Sequence, residues 1–243
     1  MRVAGSTAII TGAASGIGQA LARDLIARDA TKLVLLDIDR DGLERFAATL
    51  PNIKLQLLTA DVSDCAALQN VFAGFVADGL MPDFLFNNAG IPAGTPSWPD
   101  TDLERIRAII EINLLGILFA TRLAIPLMAG RGGSILNTAS VSGLRPYMSG
   151  AIYAASKAGV IMFTQSCRDL AKSAHIRVNA ICPGIVHTPF LEKTGSGGQM
   201  AAWLAQRIAK KEILQPAEVA RAAIDLACDE TCAGEYRIIE APP

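Results

Sequence analysis

Two residues suited to acid–base chemistry, Tyr153 and Lys157, lie four positions apart in the segment 152–158. If that segment is helical, the spacing places both side chains on one face of the helix. A phenol in isolation titrates at about 10, and a neighbouring ammonium favours its charged form. The pair is therefore a candidate for proton transfer at neutral pH, although the same spacing also occurs by chance on solvated helices.

Ser140 stands thirteen residues before Tyr153, directly after an apolar run that reads as a strand. A hydroxyl at the end of a strand can hold the oxygen of a substrate carbonyl and stabilise negative charge that develops there. Thr138 and Ser142 are neighbours with the same chemistry. Strand alternation and the spacing to Tyr153 favour Ser140.

Asn113 is a polar amide inside an apolar segment that the sequence predicts to be helical. A buried amide has to find hydrogen-bond partners. A helix kink with a trapped water would supply them, and so would a simple hydrogen bond to a neighbouring helix. Both interpretations stay open from the sequence.

The first predicted strand runs into a glycine-rich turn, Thr11–Gly18, that opens the first predicted helix. Small residues let the backbone approach a pyrophosphate, and the helix N-terminus offers it unpaired N–H groups. Asp37 closes the second strand, where a carboxylate can accept hydrogen bonds from ribose hydroxyls and repel a 2′-phosphate. Together with the uncharged Ser15, it predicts NAD rather than NADP, and its alternative role is to cap a turn.

Two further strand ends carry polar or small residues. Asp61 and Val62 follow the third strand, where they are candidates for holding an adenine. Asp61 is equally placed to cap the helix that begins near Asp64. The run Asn87–Gly90 ends the fourth strand, and its amides can bond neighbouring strands and leave room for a cofactor, as can an ordinary turn.

Short β-branched or Leu-rich runs alternate with longer periodic segments along the chain. The runs predict strands at Thr7–Thr11, Lys32–Asp37, Lys54–Leu58, Phe84–Asn87, Ser134–Asn137, Arg177–Ile181 and Tyr236–Glu240. The periodic segments predict helices at Gly16–Arg28, Arg40–Leu50, Asp64–Asp78, Asp102–Met128, Ile152–Lys172 and Pro216–Cys228. Strict alternation implies right-handed crossovers and a doubly wound parallel α/β sheet with helices on both faces.

The chain shows no repeat and no linker, so we expect residues 1–243 to form a single domain. Only the stretch from Pro183 to Gln215 breaks the alternation, and it contains a Gly/Ser run followed by an amphipathic segment. Such an excursion predicts a substrate lid at about residues 185–215, with a floppy surface insertion as the alternative.

The composition excludes several classes of function. A net charge of -1 gives no electrostatic basis for binding nucleic acid or an anionic membrane. The charge-free run Ile112–Thr121 is much shorter than the ~20 residues of a membrane-spanning helix. Five dispersed cysteines predict reduced thiols in a cytoplasmic protein and no metal site.

Taken together, these motifs resemble the short-chain dehydrogenase/reductase family, single-domain branch, in order and spacing. The resemblance rests on the glycine turn, Asn87–Gly90, Asn113, Ser140, Tyr153 with Lys157, and Pro183-Gly184 with Thr188. It implies a Rossmann-like doubly wound parallel sheet of about seven strands. It also implies that Tyr153 is the proton donor and acceptor, Lys157 its partner, Ser140 the substrate anchor and Asn113 part of a water relay.

The resemblance and the strand-end residues together define a predicted cofactor site. Its members are Gly12, Ser15, Gly16, Ile17, Gly18, Asp37, Asp61, Val62, Asn88, Ala89, Gly90, Tyr153, Lys157, Pro183, Gly184, Ile185 and Thr188. By the resemblance, Ile185 and Thr188 contact the nicotinamide end. The C-terminal sequence Tyr236–Pro243 departs from the family's usual tail, and it is loosely similar to the 15-hydroxyprostaglandin dehydrogenase subgroup.

The predicted reaction is hydride transfer between NAD and a secondary alcohol or its ketone, with Tyr153 moving the proton. Substrate contacts are predicted at Ser140, Leu144, Tyr147, Tyr153, Phe190 and Trp203, with Pro92, Trp98, Met148 and Met200 as further apolar walls. We therefore expect an uncharged, hydrophobic small molecule. The alternatives are an NADP-linked carbonyl or ketoacyl reductase and a dinucleotide sensor without chemistry.

Apolar helices around Ile106–Met128 and Ile152–Ala171 predict self-association, with Ala155, Ala158 and Gly159 allowing close approach. A homotetramer or a homodimer is expected, and the family resemblance favours a dimer of dimers.

Overall fold

The computed structural model describes residues 1–209 and 212–241, and its central element is one seven-stranded sheet. The strands lie in the order β3-β2-β1-β4-β5-β6-β7, and every neighbouring pair is parallel. Their bounds are β1 Thr7–Thr11, β2 Lys32–Asp37, β3 Lys54–Thr59, β4 Phe84–Asn87, β5 Gly133–Thr138, β6 Ile176–Pro183 and β7 Tyr236–Ile239. The order reverses between β1 and β4, so the predicted doubly wound parallel fold is confirmed.

Helices cover both faces of this sheet. They are α1 Gly16–Ala27, α2 Arg40–Ala47, α3 Cys65–Ala77, α4 Leu103–Ile110, α5 Gly116–Met128, α6 Ala151–Ser166, α7 Leu170–Ser173, α8 Ala202–Ile208 and α9 Pro216–Cys228. Because strand side chains alternate between faces, Ala8 and Ile10 of β1 pack with α1, α2 and α9. Ile9, between them, packs on the opposite face with α3 and α5.

Two predicted helices differ from their sequence patterns. The long helix predicted at Asp102–Met128 is continuous but changes to a π-helical turn at Glu111–Leu115, around Asn113. The helix is thus irregular at this amide, which is one part of the first of the two interpretations that the sequence left open. The helix predicted at Ile152–Lys172 ends at Ser166, and a separate turn of helix follows at Leu170–Ser173.

The segment predicted as a lid is tied together at its base. Val186 and Leu214 form a parallel β-bridge, in which His187 N donates to Leu214 O at 2.8 Å and Leu214 N donates to Ile185 O at 3.0 Å. Between the two anchors lie a 3₁₀ turn, Glu192–Thr194, and α8. Residues 210 and 211 of the predicted lid, and 242 and 243 at the C-terminus, lie outside the described residues.

One helical stretch, Leu103–Met128, has the length and apolar composition of a membrane-crossing helix. Of the 18 consecutive residues of this stretch that are most apolar, 39% are buried inside the protein. Core helices of soluble proteins meet the same criteria, so length and composition alone do not indicate a membrane.

Candidate active site

The glycine turn between β1 and α1 is packed so tightly that it excludes larger residues. A Cβ on Gly18 would lie 2.1 Å from the Gly12 carbonyl oxygen, and a Cβ on Gly12 would lie 2.8 Å from the Ala89 Cα. Ser15, at the N-cap of α1, makes no side-chain hydrogen bond to the helix. The N–H groups of the first turn are thus left for an anion, which fits the pyrophosphate of a dinucleotide.

Asp37 is fixed at the edge of this turn by two backbone N–H groups. Its Oδ2 accepts from Ala14 N at 2.9 Å, and its Oδ1 accepts from Asp39 N at 3.0 Å. The contact with Asp39 N caps a turn, which is the alternative role of Asp37 that the sequence left open. The first contact ties the carboxylate to the glycine turn, where it borders the same cavity.

Asn87 and Asn88, at the end of β4, bond to different neighbours. Asn87 Nδ2 donates to Asn137 Oδ1 at 2.9 Å, which links β4 to β5 beneath the site. Asn88 Nδ2 donates to Thr11 O and Gly12 O, both at 3.2 Å, which ties β4 to the glycine turn. The predicted bonding of neighbouring strands is present. Thr11 completes the junction, since its Oγ1 accepts from the N–H groups of Asn88 and Ala89.

Asp61 does not cap α3, which was its alternative role in the sequence analysis. Asp64 caps α3, because its Oδ1 accepts from Ala66 N and Ala67 N. Asp61 instead accepts from the backbone N–H and the hydroxyl of Ser63, at 2.8 and 2.7 Å. Its side chain borders the cavity, beside Val62.

Ser140, Tyr153 and Lys157 converge at the other end of the cavity. A side-chain hydrogen bond joins the Tyr153 hydroxyl to Ser140, whose Oγ also accepts from Ser142 N at 3.1 Å. The Lys157 Nζ donates to Thr138 O at 2.8 Å and lies 5.8 Å from the centre of the Tyr153 ring. The helical spacing predicted for Tyr153 and Lys157 is correct, since α6 carries both.

Burial dominates the electrostatics of this pair. It raises the pKa of Tyr153 to about 12, against the lowering effect of the Ser140 hydrogen bond. It also lowers the pKa of Lys157 to about 8. The expectation that the ammonium makes the phenol more acidic is not met in the protein. Burial disfavours the phenolate and raises the pKa of Tyr153, and Lys157 is not among the groups that lower it.

Asn113 is fully buried and does not border the cavity. Its Oδ1 accepts from Ile91 N at 2.8 Å, and its Nδ2 donates to Ile91 O at 2.9 Å and to Ser156 Oγ at 3.4 Å. The amide therefore fastens the loop after β4 to the π turn and reaches α6. The side chain makes direct bonds of the kind that the simpler sequence interpretation described.

A single cavity of about 800 Å³ joins these parts. Every residue of the predicted cofactor site lines it except Gly18, which is buried beneath the turn. Tyr147, Phe190 and Trp203 line it too, and two aromatic contacts form its wall: Tyr153 with Phe190, ring centres 6.1 Å apart, and Tyr147 with Trp203, 5.7 Å apart.

Three predicted apolar walls lie elsewhere. Leu144 packs into a separate cluster with Ile117 and Val160, because the 3₁₀ turn before it directs the chain under α6. Trp98 and Met148 are exposed, with 47% and 85% of their surface accessible, and neither borders the cavity. Pro92 and Met200 do line it, as predicted.

Comparison with known proteins identifies the family. Residues 6–198 match the family described as short chain dehydrogenase. This chain is a short-chain dehydrogenase/reductase. It is 33% identical to 15-hydroxyprostaglandin dehydrogenase (NAD(+)) of Mus musculus, with 99% of this chain and 92% of the relative aligned. It is 35% identical to the 3-oxoacyl-(acyl-carrier-protein) reductase FabG of Thermotoga maritima, with coverages of 95% and 94%.

Among solved structures, levodione reductase superposes with a TM-score of 0.86 at 30% identity, covering 98% of this chain and 97% of that one. As a member of this family, the protein is an oxidoreductase that uses a nicotinamide cofactor. These relatives fit the predicted family and the loose likeness to the prostaglandin dehydrogenase subgroup.

Some cavity residues of this short-chain dehydrogenase were not foreseen. Arg145 and Lys193 both line the cavity, although the sequence places them in irregular segments without a motif. Cys182 is buried against the Ser140 backbone, and burial raises the pKa of its thiol to about 11. Of these residues, only Arg145 could have been suspected of lining the cavity from the sequence, because it follows Ser140 by five residues.

Proposed function

We propose that this chain is an NAD-dependent oxidoreductase that interconverts a hydrophobic secondary alcohol and its ketone. The proposal rests on one observation: a single cavity is bordered by Ser140, Tyr153 and Lys157 at one end and by Asp37 at the other. The glycine turn lies between them, so a dinucleotide bound along it reaches from the carboxylate to the phenol.

The proton chemistry assigned to the chain follows from its geometry. When NAD is bound, its nicotinamide ring supplies the hydride acceptor for the carbinol carbon. Tyr153 exchanges the proton of the substrate oxygen, and Ser140 hydrogen-bonds the same oxygen. With its pKa at about 12, Tyr153 rests as a neutral phenol, ready to protonate a ketone. With its pKa at about 8, Lys157 stays mostly charged at neutral pH and positions the ribose.

Replacing Tyr153 with Phe tests this assignment. The variant should still bind NADH, measured by fluorescence, and lose at least about a hundredfold in kcat, as general acid–base catalysts typically contribute. The matched control is Tyr236→Phe, which removes the same hydroxyl from an exposed residue of β7 that does not line the cavity. Full activity in the Tyr153→Phe variant, across a panel of secondary alcohols and ketones, would contradict the proposal.

The preference for NAD is proposed from Asp37. The 2′-phosphate of NADP would face this carboxylate, and like charges in contact cost several kcal/mol. Asp37→Asn keeps an oxygen for the Ala14 N–H and removes the charge, so kcat/KM with NADP should rise about a hundredfold. Asp41→Asn, on α2 and outside the cavity, is the charge-matched control.

If the wild type already prefers NADP, the chain is instead an NADP-linked carbonyl or ketoacyl reductase. The Thermotoga maritima relative named above is a ketoacyl reductase, so a ketoacyl thioester belongs in the substrate panel.

We further propose that residues 1–243 act as one cytoplasmic domain with the segment 185–215 as its substrate lid. Self-association into a dimer or tetramer is supported by exposed apolar side chains on α4 and α6, where Leu103 is 81% and Met162 is 63% accessible. Light scattering at several concentrations measures the oligomer, and a monomer throughout would reject this part.

A further inference from the structure

Four buried polar side chains form a chain of hydrogen bonds beneath the candidate active site. They are Thr121 on α5, Asn87 on β4, Asn137 on β5 and Thr164 on α6, and each is at most 1% exposed. Asn87 Nδ2 donates to Thr121 Oγ1 at 3.0 Å and to Asn137 Oδ1 at 2.9 Å. Asn137 Nδ2 donates to Thr164 Oγ1 at 3.0 Å. Polar groups buried this deeply need their partners, so breaking any of these bonds is costly.

The hydroxyl of Thr164 is the acceptor in its bond to Asn137. Its single proton is donated to the Val160 carbonyl one turn earlier, at 2.8 Å. The Asn137 amide then has one orientation, with its Nδ2 toward α6 and its Oδ1 toward Asn87. The contact between β5 and α6 is therefore specific in direction as well as in distance.

The bond between Asn137 and Thr164 is one of two side-chain hydrogen bonds that join β5 to α6 among the described residues. The other runs from Lys157 Nζ to Thr138 O at 2.8 Å. Lys157 also has to bind the cofactor ribose in the proposed reaction, so its bond to Thr138 is not a permanent anchor. Lys157 and Thr164 are seven residues apart, which is about two helical turns, and they therefore lie on one face of α6.

Between these two bonds, α6 packs on the sheet through apolar side chains. Val160 and Ile161 belong to one buried cluster with Ala139, Ala180 and Cys182. Apolar contact is not directional, whereas a hydrogen bond holds its two atoms at a defined distance and angle. The bond between β5 and the second half of α6 is therefore the contact that determines how the helix sits on the strand.

We propose that Asn137 and Thr164 are positioning residues for proton transfer, because their bond places α6 so that Tyr153 reaches Ser140. The inference rests on the proposed function. Ser140 follows Asn137 by three residues, and the same helix carries Tyr153 and Thr164. A change in the separation of β5 and α6 therefore changes the distance between the hydroxyls of Tyr153 and Ser140, which are hydrogen-bonded in the structure.

Replacing Thr164 with Val tests the proposal. The two residues have the same shape, but a methyl group takes the place of the hydroxyl, and carbon contacts are about 3.5–4.0 Å long rather than 3.0 Å. The helix should therefore move away from β5 by about 0.5 Å. A misplacement of about 1 Å can cost about a hundredfold in rate, so kcat should fall about tenfold while KM changes by less than about twofold. Thr164→Ser keeps the hydroxyl and should retain the kcat of the wild type.

Thr121→Val is the matched control. Thr121 is equally buried and accepts from Asn87 at the same distance of 3.0 Å, but its helix carries neither Tyr153 nor Lys157. Thr121→Val and Thr164→Val each leave one amide donor without a partner, so both should lower the midpoint of urea unfolding by a similar amount. Only Thr164→Val should lower kcat.

Carbon-13 NMR provides a readout without turnover. The chain has three tyrosines, so protein labelled at the tyrosine Cζ gives three signals, and Tyr153→Phe assigns the signal of Tyr153. Because the pKa of Tyr153 is about 12, its signal at neutral pH reports hydrogen bonding rather than ionisation. Ser140→Ala supplies the chemical shift of this phenol without its bond to Ser140. Thr164→Val should move the Tyr153 signal toward that value, and Thr164→Ser should not.

The outcomes separate the positioning contact from the reaction. A Tyr153 signal that moves in Thr164→Val but not in Thr121→Val, in a protein that turns over no alcohol or ketone, would support the contact and reject the proposed reaction. An unmoved signal would overturn the contact, and turnover by the wild type would then still retain the reaction. Equal losses of kcat in the two variants would also overturn it, since a general loosening of the fold would be the cause.

A second variant covers the case in which Thr164→Val does not fold. Thr164→Ala removes the same hydroxyl without placing a methyl group against the Asn137 amide. It should move the Tyr153 signal and lower kcat in the same direction, and the same outcomes apply to it.

Discussion

Replacing Lys157 with Met is expected to stabilise the protein at neutral pH while abolishing turnover. Lys157 is only 3% exposed, and its Nζ donates to the Thr138 carbonyl at 2.8 Å. Burial lowers the pKa of this ammonium from 10.5 to about 8, so the folded protein holds a charge that it solvates poorly. Met has a similar length and no charge, and it therefore keeps the packing and removes the penalty.

The magnitude follows from proton linkage. Between pH 8 and 10.5 the unfolded chain binds a proton that the folded protein lacks, so the wild type gains stability as the pH rises through this window. The difference between the two pKa values corresponds to about 3 kcal/mol, which is the upper estimate for the stabilisation of the Met variant at neutral pH. Between about pH 7 and about pH 9.5, the free energy of unfolding of the wild type rises by about 2 kcal/mol, because Lys157 loses its proton in the folded protein.

Urea unfolding followed by far-UV circular dichroism measures both proteins at both pH values. Comparing the two proteins cancels the titration of shared groups that do not interact with Lys157. The thiol of Cys182 does interact with Lys157, so both proteins carry Cys182→Ala in this experiment. The pair is also measured in a Tyr153→Phe background, because the phenol is the titrating neighbour of Lys157. The free-energy difference should shrink by about 2 kcal/mol at the higher pH. A difference that does not change with pH would refute the reasoning, since buried charge would then not be its cause.

Two glycines and one amide give further predictions. Gly18→Ala should abolish NADH binding, measured by fluorescence titration, because the added Cβ would meet the Gly12 carbonyl. Gly74→Ala has open space around its Cβ, so it should raise the free energy of unfolding by about 0.5–1 kcal/mol, measured by urea unfolding. Asn113→Ala should lower stability by about 2 kcal/mol in the same unfolding assay, because the Ile91 backbone loses both partners. Unchanged stability there would show that water replaces the amide.

The fold was largely predictable because apolar residues recur with different spacings in its strands and in its helices. In β1, for example, consecutive residues Ile9 and Ile10 pack on opposite faces, which makes a parallel strand apolar throughout and recognisable. The sequence could not show where α6 ends, since residues 167–169 keep a helical composition although they form a turn between α6 and α7.

The candidate site was predictable where residues follow strand ends or keep a helical spacing. Ser140, Tyr153 and Lys157 meet those conditions, and the structure brings them together. Leu144 and Arg145 do not, because the irregular turns after Ser140 decide which of the two neighbours borders the cavity. The pKa of Tyr153 was predicted in the wrong direction for the protein alone, since a sequence shows the neighbouring charge but not the depth of burial.

The bridge between Val186 and Leu214 has a consequence for how such an enzyme can change its substrates. Because both ends of the intervening segment are hydrogen-bonded to each other, that segment can be exchanged for one of different length or composition without altering the sheet. Its residues Phe190, Lys193 and Trp203 would change together in such a graft, while Tyr153 and Lys157 stay on α6. Exchanging this one segment can thus change the substrate specificity while the residues on α6 stay the same.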